Sequence, residues 1–578
     1  MKKAIISAAA AMTATVTAAG VMSTAVGTHF PQELTAMDDA LPGNKPDQGA
    51  RDIMSNGAVG DFDHISMERE FGSTGIFIET LHKATENNVK LTGRGLYDDD
   101  GVLWLVQSGS AVEFRVSARS AAVVLHGDEF TRFDQDQRSR YAVIVDGEIV
   151  RDATVDEKEE RIVLFSGDES READVTIIHL SEANNGAVGV GDIILDSDAA
   201  VPIVPAEKKP LNVEFIGDSI TCAYGVEGAS QNEAFRTTTE NFMKSFAYLT
   251  AQKLGADYSA VSYSGYGIIS GYTADGTKAD NMLVPAHYEN VGSLKDYEKP
   301  WDFSSETYDA VVVNLGTNDA TYIDRDPENR APEFIEKYED FLRTVRRNNP
   351  GSYIICTLGV MGCTDEYPMV EQAVANYAAS TGDKRIVCFQ SPTQSADDGY
   401  GSDWHPSEVT QQKFAYIMAD KICSVLGIES DQVGLDAAAE AEYSIRCADG
   451  SAADASAFFS VSDRSYWVNI VNGGDTEDDI VISVSGIRLK EGGKYRLTFN
   501  CTSSVGEGDV TTDHRIIVQS DDGKTVYLSD TFINDGEKTP FEAEFTADQS
   551  GNAEIVIPAG GVSYRSLTLY NVRLEKTG

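Results

Sequence analysis

Apolar and polar positions change rhythm twice along the 578 residues. From residue 89 the apolar residues come in short runs that alternate with polar ones, at 102–106, 112–116, 141–145, 161–165 and 174–180. Asp146-Gly147 follows the third run as a hairpin turn signal. Short alternating runs bounded by Gly, Asp and Ser predict a β-sandwich over residues 86–205. From Leu211 strand and helix patterns take turns. Strand-like runs stand at 213–216, 258–262, 310–315, 353–358 and 385–389, and the third is almost wholly apolar, which marks strands covered on both faces of a parallel sheet. Between them, helices are predicted from Thr237 (with capping-box spacing to Glu240), from Pro332, over 370–378 and over 407–426. This is a doubly wound α/β domain, residues 210–428, with about five parallel strands. Past an Ala- and Glu-rich connector at 434–442 the period returns to two, at 495–499, 515–518 and 554–557. A second β-sandwich is predicted over 440–578. Residues 28–85 are polar and irregular and read as a linker.

The first 27 residues carry Lys2 and Lys3, a small-residue apolar stretch and Ser23-Thr24-Ala25, the pattern of a cleaved secretory signal. No other stretch approaches a membrane span in length, so a secreted, extracellular protein without membrane association is expected. A formal charge of −45 repels nucleic acid and anionic lipid but is compatible with a neutral polysaccharide. Seven cysteines in so long a chain make no disulfide framework. Cys356, Cys388 and Cys423 sit in apolar runs as small hydrophobes, and Cys447 and Cys501 are candidates to pair. With no C-x-x-C and no H-E-x-x-H, the spacing supports no metal site.

Candidate chemistry starts at Asp218-Ser219-Ile220, just past the first strand of the α/β domain. Open sheets bind ligands at the carboxyl ends of their strands, so a hydroxyl there is a candidate nucleophile as well as a turn cap. It needs a base. The domain holds two histidines: His287, in a polar stretch, reads as a surface residue, and His405 stands in Ser402-Asp403-Trp404-His405-Pro406 before the last helix. His405 is the better candidate. Donors for a developing oxyanion are the N–H groups of Ser219 and Gly265 and the side-chain amide of Asn318, each on a loop at a strand end. Trp404, beside the base, is a candidate to stack on a sugar ring or to pack under the loop.

In order, Gly217-Asp218-Ser219-Ile220, Gly265, Gly316-Thr317-Asn318-Asp319 and His405 match the four sequence blocks of the SGNH (GDSL-type) hydrolases. With GDSITCAYG, SGYG, NLGTND and DWHPS behind a β-sandwich, residues 86–428 resemble carbohydrate esterase family 2. The resemblance implies a flavodoxin-like hydrolase domain flanked by β-sandwich (jelly-roll) domains. It also implies serine-dependent deacetylation of acetylated plant polysaccharide such as xylan or glucomannan, with no cofactor. The C-terminal sandwich looks like a carbohydrate-binding module. One departure stands out: the superfamily places an Asp three residues before the histidine, where this chain has Ser402, and Asp403 is two before. Members resembling this chain can use a main-chain carbonyl instead. The expectation is therefore a Ser219–His405 dyad oriented by the Asp403 carbonyl, with an Asp403 side-chain triad as the alternative. Competing functions are a non-catalytic polysaccharide-binding protein and an esterase or lipase for another ester.

Overall fold

The computed structural model describes residues 66–70, 76–428, 442–460, 465–505, 512–534 and 538–577. The expected signal segment, 1–27, and the linker as far as residue 65 lie outside them.

A strand reading AVVVN has no polar face to show to water, so it must be covered on both sides. Ala310–Asn314 is buried throughout. It lies at the centre of a five-stranded parallel sheet built from β1 (Leu211–Gly217), β2 (Ala256–Ser262), β3 (Ala310–Asn314), β4 (Tyr353–Leu358) and β5 (Ile386–Gln390). Their order in the sheet is β2-β1-β3-β4-β5, with every neighbouring pair parallel. On one face Val311 and Val313 pack with Phe334, Tyr338 and Leu342 of α4 (Pro327–Asn348) and Val370 and Tyr377 of α5 (Tyr367–Thr381). On the other, Ala310 and Val312 meet Phe246 of α2 (Phe246–Leu254) and Phe414, Met418 and Ile422 of α6 (Glu408–Leu426). Each large apolar side chain buried in this way contributes about 1.5–3 kcal/mol. Two further short helices, α1 (Ser219–Cys222) and α3 (Thr317–Ile323), start directly after β1 and β3.

Two helix starts differ from the sequence expectation. The turn at Thr237–Thr239 stays 3₁₀ and α2 begins at Phe246 behind an Ser245 cap, because the Glu240 carboxylate accepts the N–H of Glu182 instead of closing a capping box. Helix α4 begins at Pro327 and runs through Pro332, so the earlier proline takes the first-turn position.

Among the described residues the β-rich N-terminal region is one antiparallel network of eleven strands over a main core, with a smaller cluster of Ala111, Ala142, Ile178 and Leu180. Strands Ser66–Glu70 and Ile76–Lys83 belong to it, inside the stretch expected to be irregular; Ile76–Lys83 gains its place by pairing with Val188–Asp196. The runs at 161–165 and 174–180 fall largely within one strand, Glu159–His179, whose pairing with Ala111–Gly127 slips register near Ser120 and so bends without ending. The β-rich C-terminal region has two five-stranded antiparallel sheets that share a core. Cys447 and Cys501 lie on different sheets there and form no disulfide.

The N-terminal region is stitched into the central domain by buried polar contacts. Arg94 pairs with Glu214 of β1 at 2.8 Å, both side chains fully buried. Arg140 reaches Glu227 at 2.7 Å and the carbonyl of Glu240 at 3.1 Å.

Candidate active site

At the carboxyl edge of the sheet the loop carrying His405 meets Ser219, and Asn318 after β3 meets the adjoining Asp218. Strand β1 ends at Gly217, Asp218 caps α1 by accepting the Ile220 N–H at 3.1 Å, and Ser219 is the first helical residue. Its hydroxyl lies 2.9 Å from Nε2 of His405, which follows β5 in the chain and precedes α6. On the far side of the ring, Nδ1 lies 3.2 Å from the carbonyl oxygen of Ser402. That contact puts the proton on Nδ1 and leaves Nε2 as the acceptor for the serine hydroxyl. Burial pushes the imidazole down to about 4, outweighing the Ser402 carbonyl and the Asp403 charge, which favour the protonated ring. The ring is neutral at pH 7 and ready to take a proton.

The Asp403 carboxylate does not reach the imidazole. Its Oδ2 accepts the Tyr224 hydroxyl and the Phe235 N–H, each at 3.1 Å. The expected orienting carbonyl is likewise displaced by one residue, from Asp403 to Ser402, the Asp403 backbone acting on the ring only secondarily. The cause is backbone geometry. Asp403 and Trp404 both have left-handed φ, 50° and 67°, which turns the Asp403 side chain away from His405. Such strain persists only where neighbours over-determine it. Here Ser402 N–H donates to Gly225 O, Asp403 N–H to Glu233 O, and the Gln394 amide to Trp404 O. Gly225, itself at φ +58°, touches Ser402 so closely that an added Cβ would lie 2.4 Å from the serine's own. The glycine ending GDSITCAYG therefore cradles the histidine loop.

Tyr224 covers His405. Its ring lies 4.2 Å from the imidazole and stacks at 4.0 Å on Phe235, so Asp403 acts on the base by holding this aromatic pair. Trp404 is half exposed and its ring lies 5.2 Å from that of Tyr400.

Gly265 follows β2 at φ +80°, a conformation that suits glycine. Among the described residues no protein acceptor meets its N–H or that of Ser219. Asn318, in the first turn of α3, donates to the Tyr266 carbonyl at 2.9 Å and more loosely to Asp218 Oδ2 at 3.4 Å. Its second hydrogen is thus weakly held beside the serine loop. Asp319 accepts the N–H groups of Ile268, Ile269 and Ser270 and so anchors the chain just beyond Gly265. Burial pushes Asp319 up to about 6 and Asp218 to about 7. His287 is half-buried against the rings of Tyr263 and Tyr266, away from the surface position expected of it.

A serine hydroxyl on a neutral imidazole, with unpartnered backbone N–H groups on two loops, is equipped for acyl transfer. Residues 213–418 match the family model described as GDSL-like lipase/acylhydrolase. The central domain belongs to the GDSL-type hydrolases. Ahead of this GDSL-type domain, residues 91–205 match the carbohydrate esterase 2 N-terminal model. The cellulase/esterase CelE of Acetivibrio thermocellus is 31% identical over 327 residues, which cover 55% of this chain and only 37% of CelE. An acetylxylan esterase/glucomannan deacetylase of Cellvibrio japonicus is 24% identical over 56% of this chain and 85% of its own length. A family two carbohydrate esterase from Clostridium thermocellum, solved with cellohexaose, superposes at a TM-score of 0.52 with 28% identity, over 59% of this chain and 99% of its own.

Tyr224 and Phe235, which stack beside His405, are the residues that sequence reasoning missed. Tyr224 lies inside the GDSITCAYG block, where a signal was present, but Phe235 lies in no motif.

Proposed function

We propose that this protein is a secreted carbohydrate esterase that removes O-acetyl groups from plant cell-wall polysaccharide, acetylated xylan or glucomannan. The observation that carries the reading is the 2.9 Å hydrogen bond between Ser219 Oγ and His405 Nε2 at the carboxyl edge of the sheet. Ser219 Oγ attacks the acetyl carbonyl carbon while Nε2 takes its proton. The oxyanion is met by the N–H groups of Ser219 and Gly265 and by the Asn318 amide. Collapse breaks the bond to the sugar oxygen, which leaves with the proton from Nε2. Water then attacks the acetyl-serine, giving its proton to Nε2, and acetate departs as Ser219 regains its own. The orienting group is the Ser402 carbonyl, so the machinery is a dyad. A sugar ring stacks on Trp404. Secretion rests on the lysines and small-residue stretch of residues 1–27, and the acidic surface favours a neutral polymer over an anionic one.

Acyl-chain length tests the ester class. Acetylated glucomannan and short acetyl esters should be hydrolysed at least about 10²-fold faster, by kcat/KM, than esters of long fatty acids. Equal or faster turnover of long chains would make the protein a lipase-type enzyme instead.

The flanking regions are read as jelly-roll sandwiches, the C-terminal one binding sugar. Its support is the pair Phe458 and Trp467, 62% and 39% exposed, with nearly parallel rings on neighbouring strands. Tyr466, by contrast, is buried in the core. Trp467→Ala should weaken retention of the full chain on insoluble polysaccharide several-fold in a depletion assay while leaving hydrolysis of a small soluble acetyl ester unchanged. Undiminished retention would remove the pair from the binding role.

A further inference from the structure

A buried carboxylate from the N-terminal region reaches into the loop that carries Gly265. Glu182 directly precedes the 3₁₀ turn Ala183–Asn185, three residues beyond the strand Glu159–His179, and is 4% exposed. Its Oε2 accepts the backbone N–H of Ser264 at 2.7 Å. Ser264 immediately precedes Gly265. The residue before it is gripped from the same region, since Gln107 donates to the Tyr263 hydroxyl at 2.6 Å. Glu182 is itself held from the other side: its N–H donates to Glu240 Oε2 at 2.9 Å, and Leu180 O accepts the Phe242 N–H at 3.0 Å.

This arrangement is expensive. Two carboxyl groups share the interface, Glu240 is fully buried, and its Oε1 has no hydrogen-bond partner among the described residues. Arg140 bonds the Glu240 carbonyl, not the carboxylate. Burial and mutual repulsion push Glu240 well above the usual carboxylate range, and burial pushes Glu182 up to about 7. A packing interface would be more stable with an apolar residue in this place. What the carboxylate provides that an apolar residue cannot is an acceptor for one backbone N–H, one residue from an oxyanion donor.

We infer that Glu182 is a positioning residue for the oxyanion-binding loop, so that the N-terminal β region completes the active site of the central domain. The inference rests on the acyl-transfer reading of Ser219 and His405.

The test uses the full chain with Glu182→Ala and Glu182→Gln, assayed on a small soluble acetyl ester, together with amide hydrogen exchange of the 259–272 segment and a Ser219→Ala control. Glu182→Ala should lower kcat by about 10- to 100-fold with KM little changed, as expected for a misplaced catalytic group. It should also speed exchange in the segment. Glu182→Gln, whose amide oxygen can still accept the Ser264 N–H, should restore kcat to within about fivefold of wild type, a neutral acceptor replacing a charged one. Wild-type kcat and wild-type exchange in Glu182→Ala would overturn the inference. So would a loss confined to thermal stability or KM. If Glu182→Ala does not fold, Glu182→Gln carries the decision through its exchange: a segment as labile as a detached loop would contradict the retained contact. Hydrolysis by the wild type that survives Ser219→Ala would instead overturn the acyl-transfer reading, and the inference with it.

Discussion

His405→Ala should lower kcat by roughly 10⁶-fold, the loss that follows removal of the base from a serine hydrolase, while Asp403→Asn should cost under about tenfold. The contrast follows from where each group points. His405 Nε2 holds the Ser219 hydroxyl at 2.9 Å, and Nδ1 meets the Ser402 carbonyl at 3.2 Å. The Asp403 carboxylate is spent on the Tyr224 hydroxyl and the Phe235 N–H, and an asparagine oxygen can accept one of them. A triad carboxylate would behave otherwise, its conversion to the amide costing about 10⁴-fold. The pH dependence gives a second reading of the same site. Because burial holds the imidazole down to about 4, the base remains neutral until the medium is quite acid. The acid limb of kcat/KM should therefore fall with a midpoint well below the ordinary imidazole value of about 6.5. Kinetics of the wild type and both variants on a small acetyl ester, from acid to neutral pH, check all three outcomes. A 10⁴-fold loss in Asp403→Asn would show that the side chain reaches the ring during turnover.

Arg94→Ala should destabilise the protein by about 3–5 kcal/mol, the usual effect of leaving one member of a buried ion pair without its partner. Arg94 and Glu214 are both fully buried, and Glu214 lies on β1, the strand that delivers Ser219. The guanidinium also donates to the carbonyls of Tyr288 and Asn290 and lies over the ring of Phe303 at 5.0 Å. Besides Arg94, Glu214 accepts from the Tyr288 hydroxyl at 2.8 Å and more loosely from the Asn349 amide at 3.4 Å, neutral donors that are too little to solvate a charge in the core of the sheet. Replacing Arg94 with Met together with Glu214→Leu should recover most of the loss, since a well-packed apolar pair removes both desolvation penalties. Denaturant midpoints of the single and double variants measure this. A single variant within about 1 kcal/mol of wild type would mean that the charge finds water.

The central strand Ala310–Asn314 was legible in the sequence because it is buried on both faces and so is written almost wholly in apolar residues, and the other strands, β1 with its buried Glu214 among them, were legible from the strand–helix rhythm around it. The serine, glycine, asparagine and histidine loops were legible for a related reason. Each follows a strand end, where glycine and small polar residues mark the turn. What escaped were contacts whose meaning lies far away in the chain. Glu240 looks like a helix cap, and becomes instead the acceptor for Glu182, 58 residues earlier. The direction of the Asp403 side chain depends on two left-handed backbone residues that nothing in the string DWH announces. The strand Ile76–Lys83 reads as part of a polar stretch until Val188–Asp196 supplies its partner. Long strands that bend at bulges read as several short ones, as Glu159–His179 did. Local chemistry was readable, and long-range recruitment of ordinary residues was not.

The most direct measurement of the central claim is acetate release from acetylated glucomannan by the intact chain beside Ser219→Ala. Steady release by the wild type and a loss of roughly 10⁶-fold in the variant are expected. Release that Ser219→Ala leaves unchanged, or no release by the wild type, would contradict the claim.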